Sequence, residues 1–297
     1  MALCHARIGE NTPVSYSVFI ALYAVSVAVG IVAGLAVMVG WRNISLSRFV
    51  ESARYNLVYI AIIVGAPLLV LIEHAVASVE PNSKEVVYTN WLFSIGGNAI
   101  RILQDRLDYQ VLADFSILIY VWVFAFIIYF TPILLLALDD RTTFRRYSIA
   151  MLFNYLVLLP FYIFFPVTVT GFYADSGMTP LLYIDTHWGR IVTSVDPLNN
   201  DFPSAHISLV VTALLVLISA GVDYRRYYYF LACSAIGITF SVLYLGVHWL
   251  ADVFAGFVLA VGAYVVSGNE SVQMTFDRYV RRLSSIFKKR ERRKSSA

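Results

Sequence analysis

Charge is what this chain has least of. Asp, Glu, Lys and Arg make up 14% of its 297 residues, against about 25% in an ordinary soluble domain. A water-facing surface of that size would go uncovered, so a conventional soluble enzyme is excluded. Cysteine is scarcer still. Cys4 and Cys233 cannot build a disulfide framework, and Cys233 sits in an apolar run where a small core residue is expected. Internal repeats and Gly/Ser linkers are missing as well. With 59% hydrophobic residues, the chain is no disordered polymer.

What is present is long apolar sequence, with a mean hydropathy of +0.72. A helix crossing the hydrocarbon core needs roughly 20 mostly apolar residues. Seven stretches approach or meet that length: 16–40, 55–72, 115–138, 147–169, 203–222, 227–247 and 249–267. Asp252 is the only strongly charged residue inside any of them. Backbone polar groups in lipid must be satisfied within the segment, which selects helices. The expected fold class is an all-α integral membrane protein, a bundle of about seven transmembrane helices. The first span is too long and lacks an obvious small-residue cleavage site, so it is not read as a secretory signal peptide.

Basic residues set the expected orientation. Seventeen of the 22 Lys and Arg residues fall after the first span, between the third and fourth, between the fifth and sixth, and in the tail after Ser267. The other five, Arg7, Lys84, Arg101, Arg106 and Arg190, fall on the opposite side. The positive-inside rule then puts the N-terminus outside and the C-terminus in the cytoplasm. It makes the tail a partner of anionic headgroups rather than of nucleic acid. Three regions are expected: 1–114, two spans with an outer amphipathic loop helix; 115–267, a five-span core; and 268–297, a basic cytoplasmic tail. The loop helix is read from Ile100, Leu103, Leu107 and Val111 at helical spacing; it either lies in the headgroup region or caps the bundle.

Orientation filters the chemistry. The basic loops carry no histidine, whereas His74, His187, His206, His248 and Asp252 all fall at the outer face. Two of these histidines open helices. In Asp201-Phe202-Pro203-Ser204-Ala205-His206, Asn199, Asn200 or Asp201 can cap the helix and Pro203 suits its first turn. The free N–H groups and positive dipole end there attract anions. Ser204 adds a hydroxyl donor and His206 a titratable imidazole. In the second element Gly246 breaks the sixth span, and His248 and Asp252 stand four apart, on one helical face. A carboxylate so placed can fix the imidazole tautomer and leave the other nitrogen as nucleophile. Read plainly, each element is also an ordinary helix start. Together, on one side, they form a constellation for phosphoryl transfer.

These residues resemble the type-2 phosphatidic acid phosphatase superfamily, integral membrane lipid phosphatases and phosphotransferases with three motifs: Lys-x6-Arg-Pro, Pro-Ser-Gly-His and Ser-Arg-x5-His-x3-Asp. Here the second reads Pro203-Ser204-Ala205-His206; the third reads Ser241-Val242, five residues, then His248-x3-Asp252. The resemblance spans roughly 115–267. It implies that His248 attacks phosphorus and forms a phosphohistidine, that Asp252 orients it, and that His206 protonates the leaving group and then activates the acceptor. Ser204 and nearby N–H groups would hold the phosphoryl oxygens, with no metal and no other cofactor. The substrate would be a lipid phosphate or diphosphate, met at the extracytoplasmic side of the cell membrane.

The chain departs from the pattern where phosphate-binding cations belong. It has no Arg-Pro dipeptide, Val242 takes the third-motif arginine position, and Ala205 replaces glycine. Similar losses mark the branch that includes inositol phosphorylceramide synthases, in which a lipid or polyol hydroxyl often resolves the phosphohistidine. Arg190, fourteen residues before Ser204, is the first substitute cation, ahead of Arg101 and Arg106. Three rivals remain. A zinc site could use His187, His206, His248 and Asp252. A rhomboid-type protease is opposed by the lack of a Gly-x-Ser-Gly stretch. A non-catalytic transporter or scaffold could retain the fold. His74 is read as interfacial, Asn154 and Pro160 as helix-packing residues, and Tyr227–Tyr229 as part of an aromatic belt.

Overall fold

The computed structural model describes residues 15–69, 83–107, 109–184, 186–194, 197–221 and 224–295. Among them the chain is helical, with a single isolated bridge between Val167 and Asn200. In chain order the helices are α1 (Tyr16–Met38), α2 (Leu46–Tyr55), α3 (Leu57–Gly65), α4 (Ser83–Ser94), α5 (Gly97–Arg106), α6 (Gln110–Ala137), α7 (Arg141–Phe164), α8 (Thr186–Thr193), α9 (Ala205–Ala220), α10 (Arg225–Tyr244), α11 (Leu250–Gly268) and α12 (Glu270–Ser295). Five are long and apolar enough to cross a membrane: α1, α6, α7, α10 and α11. α9 is apolar but only 16 residues long. The span expected over 55–72 is represented by α3, nine residues. Its end, together with Cys4, Arg7, His74 and Asp108, lies outside the described residues.

The core is a bundle of α6, α7, α9, α10 and α11 with α9 at its centre, its interior made of Val210, Ala213, Val216 and Leu217 against Phe130, Ala150, Ile238 and Ala260. Asn154 serves packing, as expected: its amide donates to Ala150 O at 2.9 Å and to Thr212 Oγ1 of α9 at 3.0 Å. In α1 only Val27 is buried, so that helix is peripheral, with most of its apolar surface facing outward. An apolar helix in lipid satisfies its surroundings on every face, and this overturns two readings. Cys233 is exposed on the bundle's outside. Tyr227 is no belt residue; it is 1% exposed, its hydroxyl 2.8 Å from Thr131 Oγ1.

The basic loops gather at one end. Arg145 pairs with Asp277 of α12 at 2.6 Å, and the same carboxylate accepts from Tyr59 at 2.7 Å. Arg146 donates to Ser219 at 2.8 Å, and Tyr224 to Asp140 at 2.8 Å. The first half of the tail helix is therefore docked, with Val272, Phe276 and Val280 against the core. At the other end lie the start of α1, α4, α5, α8 and the histidine motifs. The expected loop helix ends at Arg106 rather than continuing to Val111, which is 80% exposed on α6. It caps the bundle. Ile100 and Gln104 are buried, and the Gln104 amide donates to Thr179 O and Tyr244 O at 2.9 and 3.0 Å while accepting from Thr179 N.

Candidate active site

Two helix starts meet at this end. α9 begins one residue after Ser204, and Ser204 itself is the N-cap, its hydroxyl accepting from Ile207 N at 3.4 Å. The cap is therefore neither Asn199, Asn200 nor Asp201: Pro203 lies before the cap, not in the first turn. By helix geometry the N–H groups of Ala205 and His206 have no partner within α9. The Ser204 hydroxyl proton, not used by its capping role, remains able to donate. The neighbouring start belongs to α11, where the Asp252 carboxylate reaches back to accept from Trp249 N at 2.7 Å. The two starts are joined directly, Ser204 N donating to Asp252 O at 3.1 Å.

The turn between α10 and α11 delivers His248. Gly246 adopts φ +75, where a side chain would be strained. The N–H groups of Val247 and His248 both return to Val242 O, at 3.1 and 3.0 Å. Val242, in the place of the motif arginine, is wholly buried. Trp249 closes the turn from outside: it is 1% exposed and its indole donates to Thr168 O at 2.9 Å. Thr168 is held in turn by Thr89 and Glu85 of α4.

His206, His248, Ser204 and Asp252, the residues singled out in the two motifs, are brought together. The two imidazoles lie with ring centroids 5.8 Å apart. His206 is gripped by aromatic rings of α6, stacked on Tyr120 at 4.4 Å and tilted against Phe124 at 4.3 Å. These rings flank the end of a π-helical stretch, Leu118–Val123, a feature that recurs at functional sites. His248 Nδ1 is 3.5 Å from Asp252 Oδ2 but 2.9 Å from Asp201 Oδ1. All three side chains are buried. Burial alone would lower the His248 imidazole; the charge of Asp201, then the contact with Asp252, outweighs it and raises the group from 6.5 to about 10. A raised histidine stabilises the fold most below its unfolded value and loses that contribution as pH climbs toward the folded one. The melting temperature of the detergent-solubilised protein is thus expected to fall between pH 6.5 and 10, with a shallower slope in Asp201→Asn. Equal slopes in the two proteins would contradict this.

The remaining candidates stand apart. Arg190 is exposed on α8 with its guanidinium 4.0 Å over the Tyr16 ring. His187 lies tilted against Phe19, ring centroids 4.7 Å apart. The rival zinc set including His187 is not assembled; among the described residues the carboxylate and imidazole atoms within 4.8 Å of one another are those of Asp201, His248 and Asp252. Arg101 pairs with Asp105 at 3.6 Å on the rim. Sequence reasoning missed the pairing of Asp201 with His248, and Tyr120 and Phe124.

These features define an all-helical membrane protein with a buried His, His and carboxylate site between two helix starts. Residues 180–268 match the family model of the PAP2 superfamily, which bears out the superfamily resemblance on the stretch carrying both motifs. No curated protein and no solved structure matches the chain.

Proposed function

We propose that this protein is a membrane lipid phosphatase or phosphotransferase working through a phosphohistidine. The observation that supports it is the buried approach of His206 and His248 beside the start of α9, since in-line phosphoryl transfer needs little beyond positioning and charge stabilisation. At neutral pH His248, raised to about 10, is a cation, so it first passes its Nε2 proton to His206; the freed Nε2, with Nδ1 aligned by a carboxylate, then attacks phosphorus. The N–P bond forms as the bond to the leaving oxygen breaks, and protonated His206 supplies that oxygen's proton. His206, now neutral, takes a proton from water or an alcohol, whose oxygen displaces His248 and restores the imidazole. Ser204 and the first N–H groups of α9 receive the phosphoryl oxygens. The excess of Lys and Arg at the opposite end supports a site at the extracytoplasmic face. The missing motif cations favour the inositol phosphorylceramide synthase-like branch, in which either water or an alcohol can take the phosphoryl group.

The test is turnover by purified full-length protein offered phosphatidic acid and an isoprenoid diphosphate in a strong chelator, with and without a polyol acceptor. Activity should survive the chelator, and His248→Ala should lose on the order of 10⁴-fold or more. Inactivity of the wild type on both lipids, with no phosphate trapped on His248, would favour the non-catalytic transporter or scaffold instead.

A further inference from the structure

The third motif offers one carboxylate to His248, but the structure surrounds the ring with two. Asp201 Oδ1 is 2.9 Å from Nδ1 and Asp252 Oδ2 is 3.5 Å away. That Asp252 oxygen also accepts the Trp249 N–H at 2.7 Å, so it serves the start of α11 as well. Asp201 has no such structural duty. Among the described residues its Oδ2 has no hydrogen-bond partner, although Asp201 is only 2% exposed. A carboxylate this buried is costly unless it meets a charge or donor, and His248 is the group it meets.

The backbone around Asp201 is fixed on both sides. Leu198 O and Asn199 O accept from Val169 N and Val167 N at 3.0 and 2.8 Å. Pro203 O accepts from Tyr162 at 3.0 Å, and Ser204 N is tied to Asp252 O. Such anchoring holds a side chain to the tolerance that orientation of a nucleophile demands.

We infer that the two acids divide one task, Asp201 being the positioning residue that holds the Nδ1 proton of His248 and Asp252 mainly building the helix start that carries it. The inference rests on the phosphohistidine reading. When Nε2 bonds to phosphorus the ring becomes cationic while Nδ1 keeps its proton. Asp201 faces that charge across 2.9 Å, and Asp252 and the His206 ring are the other titratable groups facing it. The two carboxylates stand within 4.8 Å of each other and of the ring. Two like charges so close are tolerated only with a cation between them, which the phosphorylated imidazole supplies.

The experiment compares wild type, Asp201→Asn and Asp252→Asn as full-length protein in detergent with chelator, following the single-turnover rate of His248 phosphorylation alongside kcat and KM. A second arm uses histidine-selective ¹⁵N spectra to read the His248 tautomer, assigned by its loss in His248→Ala. Asp201→Asn is expected to slow phosphorylation by about 10²–10⁴-fold, as loss of an orienting acid does in a hydrolase triad, with KM moving by less than about threefold. It should also change the proportion of protonated Nδ1. Asp252→Asn, whose amide oxygen can still accept from Trp249, should lose less rate. If Asp201→Asn fails to fold, Asp201→Glu takes its place and should retain the wild-type tautomer with an intermediate rate.

Wild-type phosphorylation in Asp201→Asn, or a larger loss in Asp252→Asn, would overturn the division of roles and leave the phosphohistidine reading standing. A wild-type protein that never labels His248 would overturn that reading. The spectra would then still decide the contact, an unchanged tautomer in Asp201→Asn refuting it and a changed one upholding it. Activity abolished by chelator and restored by zinc would overturn the inference too, since the three side chains would then serve a cation.

Discussion

His206→Gln is expected to slow single-turnover release of a lipid alcohol by about 10²–10⁴-fold, the range of a lost general acid, while single-turnover release of nitrophenol loses less than about tenfold because its leaving oxygen needs little protonation. The asymmetry follows from where His206 sits. Its ring lies against Tyr120 and Phe124 and is 5.8 Å from the His248 ring, and in the proposed mechanism it serves the leaving oxygen rather than attacking. The same residue is assigned to activate the acceptor, so the aryl substrate carries a second consequence. In His206→Gln the first step should outrun the second, and phosphohistidine should accumulate on His248 to a level absent from the wild type. Equal losses with alkyl and aryl phosphates, and no accumulation, would remove His206 from proton transfer and make it a wall of the site.

The parts of the molecule visible in sequence are those written in local order. Long apolar runs gave α1, α6, α7, α10 and α11 because lipid demands about 20 residues without charge. The His248-x3-Asp252 spacing predicts two groups on one helix face; His248 instead lies in the turn before α11, and its ring comes within 3.5 Å of Asp252 across the helix start. Gly246 marked a chain reversal, and the structure puts it at positive φ. The excess of Lys and Arg grouped the ends of the spans, and Arg145, Arg146 and Arg141 do share an end with the tail helix.

What stayed hidden depends on contacts between segments or on which face an apolar helix buries. Asp201 is 47 positions from its imidazole, and a single sequence carries no sign that the two meet. Ser204 was legible as a helix-start residue but not as the cap, since Pro203 is compatible with a position on either side of the boundary. Cys233 and Tyr227 were misjudged for one reason. In water an apolar face marks the core, but in lipid both faces of a span are apolar and the hydrophobic period that would orient α10 fades. The π-helical stretch in α6 leaves no composition signal either, although it precedes Phe124 and contains Tyr120, the two rings that hold His206.

Gly256→Ala is expected to lower turnover by about 10²-fold, the cost of a displacement of roughly 1 Å in a reacting group, although residue 256 touches no substrate. A methyl group there would stand 2.7 Å from Ser204 O and 3.0 Å from Ile207 Cβ, closer than carbon atoms tolerate. The backbone of Ser204 cannot yield freely, because its N–H is bonded to Asp252 O and its O receives Ser208 N. α9 must therefore shift as a unit, carrying the Ser204 hydroxyl and His206 away from His248, at an overpacking cost of about 1–3 kcal/mol. Gly262 supplies the control on the same helix, since its added methyl would meet only Phe153 Cε1 at 3.9 Å. Melting curves and kcat for Gly256→Ala and Gly262→Ala decide the matter. If the two variants behave alike, the close approach of α9 and α11 does not position the catalytic groups; if Gly256→Ala alone loses turnover while still folding, the helix contact is what sets the distance between the two histidines.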